Sequence, residues 1–234
     1  MNLSKIYKRF FTLSKANERQ ELSDDEFYYK LFVENSSWNT KEPNRDESNR
    51  WKIIEDYICK IKKDKKDFYI LDLGCGRGWL SNLLTDYGNV IGVEPVQSVV
   101  SYARQIFPEL HFEIGSTKEL LKRGFKNKFD LVVSSEVIEH IPNLEKEFFL
   151  YDIHKLMKPQ GFCIITTPRK EIQKKWNKYT SSIQPIEDWI SEDELNNLFE
   201  KTGFVREDLK RIAVKVKNKN IFMDVYQVCL FKSV

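Results

Sequence analysis

The feature that most constrains this chain is a change of rhythm near residue 68, where short apolar runs begin to alternate with amphipathic stretches. The runs are 68–73 "FYILDL", 89–94 "NVIGVE", 110–114 "LHFEI", 129–135 "FDLVVSS" and 161–167 "GFCIITT". Helical periodicity lies between them near 77–87, 96–107, 116–122 and 143–157. Strands separated by helices need right-handed crossovers, which lay the strands parallel and cover both faces of the sheet. The tail breaks the rhythm. After a helix at 191–203, "FVREDLKRIAVKV" and "NIFMDVYQVCLFK" flank the turn "KNKN", which predicts an antiparallel hairpin at the sheet edge.

Residues 1–48 are polar and aromatic and read as an extension to the main domain at 49–234, with a helical piece near "SDDEFYYKLFVEN" and a loop through "SSWNTKEPNRDES". The domain opens with a helix from Asn49 that carries Trp51, Ile54, Ile58 and Ile61 on one face. Earlier still, Leu3, Ile6, Tyr7, Phe10 and Phe11 share a helical face. Packing over the domain is the expectation for that face, weak peripheral contact with a membrane the other reading. No apolar run reaches the ~18 residues of a membrane span, and with no secretory signal the protein is expected in the cytoplasm. The 38 basic and 35 acidic residues leave a formal charge of +3, too even for a general nucleic-acid binder and suited to a small-molecule partner. Four cysteines without CxxC spacing are expected to be reduced thiols.

"ILDLGCGRGWLS" places Asp72, Gly74, Cys75, Gly76 and Gly78 between the first strand and a helix. Glycines there let the backbone turn sharply and approach a ligand. Glu94 ends the second strand, followed by Pro95, at the distance where a carboxylate accepts both hydroxyls of a ribose. An acid on the strand with glycines at alternate positions suits a ligand that carries an ammonium group and no pyrophosphate.

These segments, with "VIGVEPVQSVVSYAR", "FDLVVSSEVIEHI" and "LMKPQGFCIITTP" in this order, closely resemble the successive motifs of class I S-adenosylmethionine-dependent methyltransferases over residues 50 to about 231. The resemblance implies an α/β, Rossmann-like fold: a seven-stranded, mostly parallel sheet with an antiparallel last strand and helices on both faces. It implies that Asp72 and the glycine turn hold the methionine moiety and Glu94 the ribose. The family usually places an acid after the third strand; Ser116 or backbone stands there instead. The backbone at Ser134 and Ser135 is implied to approach the sulfonium.

"SSEVIEHIP" puts Glu136, Glu139 and His140 at i, i+3 and i+4, one face of a helix if the segment is helical. Two chemistries use such a cluster: His140 as a general base oriented by a carboxylate, or all three as ligands for Mg²⁺ or Mn²⁺. The ExxEH pattern is similar to that of ubiquinone-pathway catechol O-methyltransferases and small-RNA 2′-O-methyltransferases, which implies a metal held on vicinal hydroxyls. The histidine that the RNA group adds after the fifth strand is missing here.

The acceptor pocket is expected from the N-terminal extension and from an insert at 168–190. Arg169, Trp176 and Tyr179 are the candidate substrate residues, and His111 and His154 are expected to be structural. The insert loosely resembles methyltransferases of bacterial surface-polysaccharide pathways, which favours a sugar, nucleotide-linked or phosphate-bearing acceptor. The alternatives are a quinol or catechol, an RNA terminus, or cofactor binding without catalysis. The oligomeric state is not legible.

Overall fold

The computed structural model describes residues 24–180, 187–217 and 219–234. The amphipathic stretch at residues 3–15 lies outside them. Strands β1 (Tyr69–Leu73), β2 (Asn89–Glu94), β3 (His111–Ile114), β4 (Phe129–Ser135), β5 (Met157–Pro168), β6 (Phe204–Lys215) and β7 (Phe222–Ser233) form one sheet in the order β3-β2-β1-β4-β5-β7-β6. β1 to β5 pair in parallel, and β7 runs antiparallel to both β5 and β6. The expected hairpin is present, with its second strand inserted inside its first. β1 and β4 sit at the centre, where strand order reverses, so both loops leaving their carboxyl ends open into one crevice.

The helices are α1 (Asp24–Tyr29), α2 (Arg45–Lys62), α3 (Trp79–Leu84), α4 (Gln97–Ile106), α5 (Thr117–Lys122), α6 (Asn143–Leu156), α7 (Lys170–Trp176) and α8 (Glu192–Lys201). On one face of the sheet Leu120, Leu150, Ile153, Leu195 and Phe199 pack over Leu71, Val132, Cys163 and Ile165. On the other, Ile54, Tyr57, Ile58, Leu80 and Leu84 pack over Ile70, Leu131, Val133 and Ile164. Successive strand residues face opposite sides, so Leu131, Val132 and Val133 alternate between the two cores. Strands buried on both faces are apolar throughout, which is why the runs stood out in the sequence.

One boundary moves. α2 begins at Arg45, not Asn49, and so crosses the expected division at residue 48. The cause is a capping box: Asn44 Oδ1 accepts from the Asp46 and Glu47 N–H groups, each at 3.0 Å, and Glu47 accepts from the Asn44 N–H at 2.8 Å. The extension therefore runs directly into the first helix of the domain.

Candidate active site

The loop after β1 turns through three left-handed glycines: Gly74, Gly76 and Gly78 have φ of +75°, +51° and +88°. Space matters as much as conformation. A Cβ on Gly74 would collide with the Val137 side chain, and one on Gly78 would lie 2.6 Å from Phe112 Cζ. The Gly74 and Cys75 N–H groups both donate to the Val93 carbonyl, at 2.8 and 3.0 Å, which ties the turn to β2.

Two carboxylates are buried beside this turn. Asp72 accepts from Ser81 Oγ at 2.6 Å, and Glu94 accepts from the Gly76 and Val96 N–H groups at 3.3 and 3.1 Å. Burial pushes each up to about 7 against those hydrogen bonds, and Asp72 adds to the rise at Glu94. Burial also raises the Cys75 thiol. No cation pairs with either carboxylate among the described residues, so the turn is left with a demand for positive charge and hydroxyl donors.

Above the turn lies the described part of the N-terminal extension, from residue 24 on. The Phe32 ring is 3.4 Å from where a Gly76 Cβ would sit, stacked with Tyr28 and edge-on to Trp38. The extension is pinned from below by Arg77, fully buried, which donates to Glu47 Oε1 and Oε2 at 2.7 and 2.8 Å and to the Thr40 carbonyl at 2.7 Å. Tyr102 Oη adds a bond to the Asn39 carbonyl at 2.6 Å. Sequence reasoning passed over Arg77 and Phe32. Arg77 occupies the variable place of the glycine motif, and a charged residue between two glycines was the available signal.

Ser116 begins α5 as its N-cap, in a capping box with Glu119. Its hydroxyl is committed there to the Glu119 N–H and carboxylate. Pro95 is exposed at the start of the loop after β2.

The segment after β4 differs from expectation. Glu136 sits in the left-handed region at φ +59°, Ile138–His140 forms a single 3-10 turn, and α6 starts only at Asn143. Ile141, before Pro142, is extended, as a residue preceding proline is biased to be. Neither Ser134 nor Ser135 caps a helix; both complete β4, Ser134 with a buried Oγ that has no hydrogen-bond partner among the described residues. Glu136, Glu139 and His140 therefore do not share a helical face. His140 Nε2 and Glu139 Oε1 are 3.9 Å apart, and among the described residues no group of three or more His, Cys, Asp or Glu is arranged to hold a metal ion. Of the two readings of this segment, the described residues do not form the Mg²⁺ or Mn²⁺ triad.

What the segment does build is a pair of desolvated glutamates. Thr166 Oγ1 donates to Glu136 Oε1 at 2.8 Å and lies 2.9 Å from Ser135 Oγ; Thr167 Oγ1 donates to Glu139 Oε2 at 3.0 Å. Glu136 as a residue is only partly buried, yet its carboxyl group lies in desolvated surroundings. Burial pushes it up to about 7, with Arg50 opposing the rise and Glu139 adding to it. Glu139 is pushed up to about 7 by burial, against its hydrogen bonds.

Both glutamates line a cavity of about 160 Å³ shared with Trp176, Glu187, Trp189 and Tyr226. The base of the insert is closed by an Arg169–Ile190 bridge, and Asp188 is gripped by buried Lys146 at 3.1 Å and by the Glu139 carbonyl at 2.9 Å. Of the three expected substrate residues, Trp176 reaches the cavity. Arg169 does not: its Nε lies 2.5 Å from Glu192 and it donates to the Asp224 carbonyl at 3.0 Å, so it braces the insert. Tyr179 is not part of the cavity wall and is exposed beneath Lys219. Tyr226 was missed, since nothing local marks a strand tyrosine as a wall.

A family model described as a methyltransferase domain matches residues 64–203. The chain is 35% identical over 115 residues to the ubiquinone biosynthesis O-methyltransferase of Rickettsia bellii, covering 47% of each chain. It is 35% identical over 109 residues to the mitochondrial one of Rattus norvegicus, covering 43% of this chain and 31% of that one. The chain spans about half the length or less of most of the curated relatives it matches, and three quarters of one. The crystal structure of PH0226 protein from Pyrococcus horikoshii superposes with a TM-score of 0.68 at 20% identity, over 89% of this chain and 99% of that one. This chain belongs to the methyltransferase domain family, with the fold of the class I, S-adenosylmethionine-dependent members.

The residues fit that family's cofactor. Buried Asp72 would answer an ammonium and Glu94 a pair of ribose hydroxyls, beside a turn of three left-handed glycines. When bound, the cofactor supplies a methyl group on a cationic sulfur, ready for a nucleophile.

Proposed function

We propose that this chain transfers the methyl group of S-adenosylmethionine to a hydroxyl oxygen of a small quinol- or catechol-type ring. The observation that carries this is the pair Glu136 and Glu139, pushed up to about 7 at the floor of an aromatic-walled cavity. A carboxylate tuned near neutrality is matched to accept a hydroxyl proton. Trp176, Trp189 and Tyr226 supply flat walls, and about 160 Å³ is enough for one six-membered ring, since an apolar cavity of roughly 150 Å³ admits benzene. The relatives named above act in ubiquinone biosynthesis as O-methyltransferases, which favours a ring over the surface-glycan precursor expected from the insert.

In this reading Asp72, Glu94 and the glycine turn hold the cofactor while Phe32 covers it, and Glu136, kept in place by Thr166, takes the acceptor proton. The test is incubation with S-adenosylmethionine and separate panels of catechols, quinols and nucleotide sugars, with S-adenosylhomocysteine and the methyl ether both measured. Turnover of nucleotide sugars alone would overturn the proposal.

A further inference from the structure

The cavity beside Glu136 and Glu139 holds a third acid that the ring-hydroxyl reading leaves without a task. Glu187, on the insert, lines it with Trp176, Trp189 and Tyr226, and the lining contains no lysine, arginine or histidine among the described residues. Glu187 is held in this wall from two sides. Trp189 Nε1 donates to its Oε2 at 3.2 Å, and the N–H of the next residue, Asp188, donates to the Glu139 carbonyl at 2.9 Å. The bases that anchor the insert are engaged outside the cavity, Lys146 with Asp188 and Arg169 with Glu192. Glu139 is 2% exposed and lies deep, whereas Glu187 is half-buried and Asn177, also in the lining, is exposed. Glu187 therefore stands nearer the mouth.

Three carboxyl groups around one space repel an anion, and taking them out of water without a counter-charge is costly. An ammonium answers both conditions. A carboxylate pairs with it, and the faces of indole and phenol rings attract it through their π electrons.

We propose that Glu187 sets the specificity of this cavity by holding the ammonium of a short alkylamine carried on the acceptor ring, while the ring hydroxyl lies at Glu136. This rests on the ring-hydroxyl reading above and deepens it: the acceptor is a phenolic or catecholic amine, and rings that bear a carboxylate or phosphate are rejected by the same acids. The ring lies deep and its amine points to the mouth. The amine is bound and not methylated, because an alkyl ammonium, like that of lysine, keeps its proton near pH 7 and has no lone pair to offer the methyl group.

The test uses the full-length chain and Glu187→Gln, with dopamine, catechol and dihydroxyphenylacetate as probes. They share one diol ring and are cationic, neutral and anionic beside it. Melting temperature and S-adenosylhomocysteine affinity serve as controls for folding. The wild-type kcat/KM should fall in that order, with dopamine about tenfold above catechol. Glu187→Gln should raise KM for dopamine about tenfold with most of kcat kept, and should change catechol turnover several times less. A wild-type chain that does not prefer dopamine, or a variant that loses equally on dopamine and catechol or on neither, would overturn the role of Glu187 and leave the ring-hydroxyl reading standing. A methyl group found by mass spectrometry on the nitrogen of dopamine would overturn both. If the wild-type chain methylates none of the three, the ring-hydroxyl reading falls, and titration of phenethylamine, which has no ring hydroxyl, into protein saturated with S-adenosylhomocysteine decides the rest. Binding that Glu187→Gln weakens keeps the ammonium site; no binding, or binding indifferent to Glu187, removes it.

Discussion

Arg77 and Glu47 form a fully buried, two-bond ion pair, at 2.7 and 2.8 Å, between the cofactor turn and the first helix of the domain. Removing one partner of such a pair strands the other charge out of water. Glu47→Gln and Arg77→Met should each destabilise the fold by about 3–5 kcal/mol and weaken S-adenosylhomocysteine binding, because the extension that carries Phe32 is held by the same arginine. Thermal melting and calorimetric titration of both variants check this, and unaltered cofactor affinity would separate the latch from the lid.

Gly78→Ala introduces a Cβ 2.6 Å from Phe112 Cζ at a residue with φ +88°. Strain at such a backbone costs on the order of 1–3 kcal/mol, and the ring must shift besides. Gly76→Ala meets only Phe32, at 3.4 Å, so it should disturb cofactor binding more than stability. Comparing the two variants by denaturant unfolding and by cofactor titration tests the order.

The pH dependence of the cofactor-free protein follows from Asp72, Glu94, Glu136 and Glu139, each raised to about 7 from ordinary values of 3.8 or 4.5. A raised carboxyl group holds its proton longer in the folded chain than in the unfolded one. Its contribution to stability is therefore complete below about 4 and is lost as pH rises toward 7. The melting temperature without cofactor should fall between pH 5 and 7.5, and saturating S-adenosylmethionine should flatten that fall by giving Asp72 and Glu94 their partners. A melting series with and without cofactor decides it.

Turnover runs the other way with pH, since Glu136 must be ionised to take a proton. The rate should climb through about pH 7. Glu136→Gln should lower it by roughly 10²- to 10⁴-fold with cofactor affinity little changed. His140→Ala should cost less than Glu136→Gln, because the turn at Ile138–His140 does not bring His140 onto a helical face with the glutamates. The reverse order in steady-state kinetics would restore His140 as the base.

Lys146 and Asp188 hold the insert onto the start of α6, Lys146 being 1% exposed. Asp188→Asn should loosen the wall formed by Glu187 and Trp189 and raise KM for the acceptor, with little effect on cofactor binding. A change confined to cofactor affinity would contradict this placement.

The order of strands and helices was legible because a sheet covered on both faces must be apolar along each central strand, so Ile70, Leu71, Val132 and Ile164 declare themselves locally. The cofactor turn was legible for a related reason: Gly74, Gly76 and Gly78 meet a backbone demand that lies within five residues. The stretch from Glu136 to His140 was misread. Its spacing fits a helix, but the left-handed Glu136 and the extended Ile141 interrupt one, and Pro142 alone hinted at that.

By itself, then, the sequence determined the alternation of the sheet, the glycine turn after the first strand, and the two acids beside it, because periodicity and glycine geometry are short-range. Only the tertiary structure decided that Arg169 braces the insert while Arg50, more than a hundred residues earlier, packs over the Tyr226 ring. It also decided that Arg77 locks onto Glu47. Such pairings depend on which elements the fold stacks, and on the desolvation that stacking imposes on charges far apart in the chain.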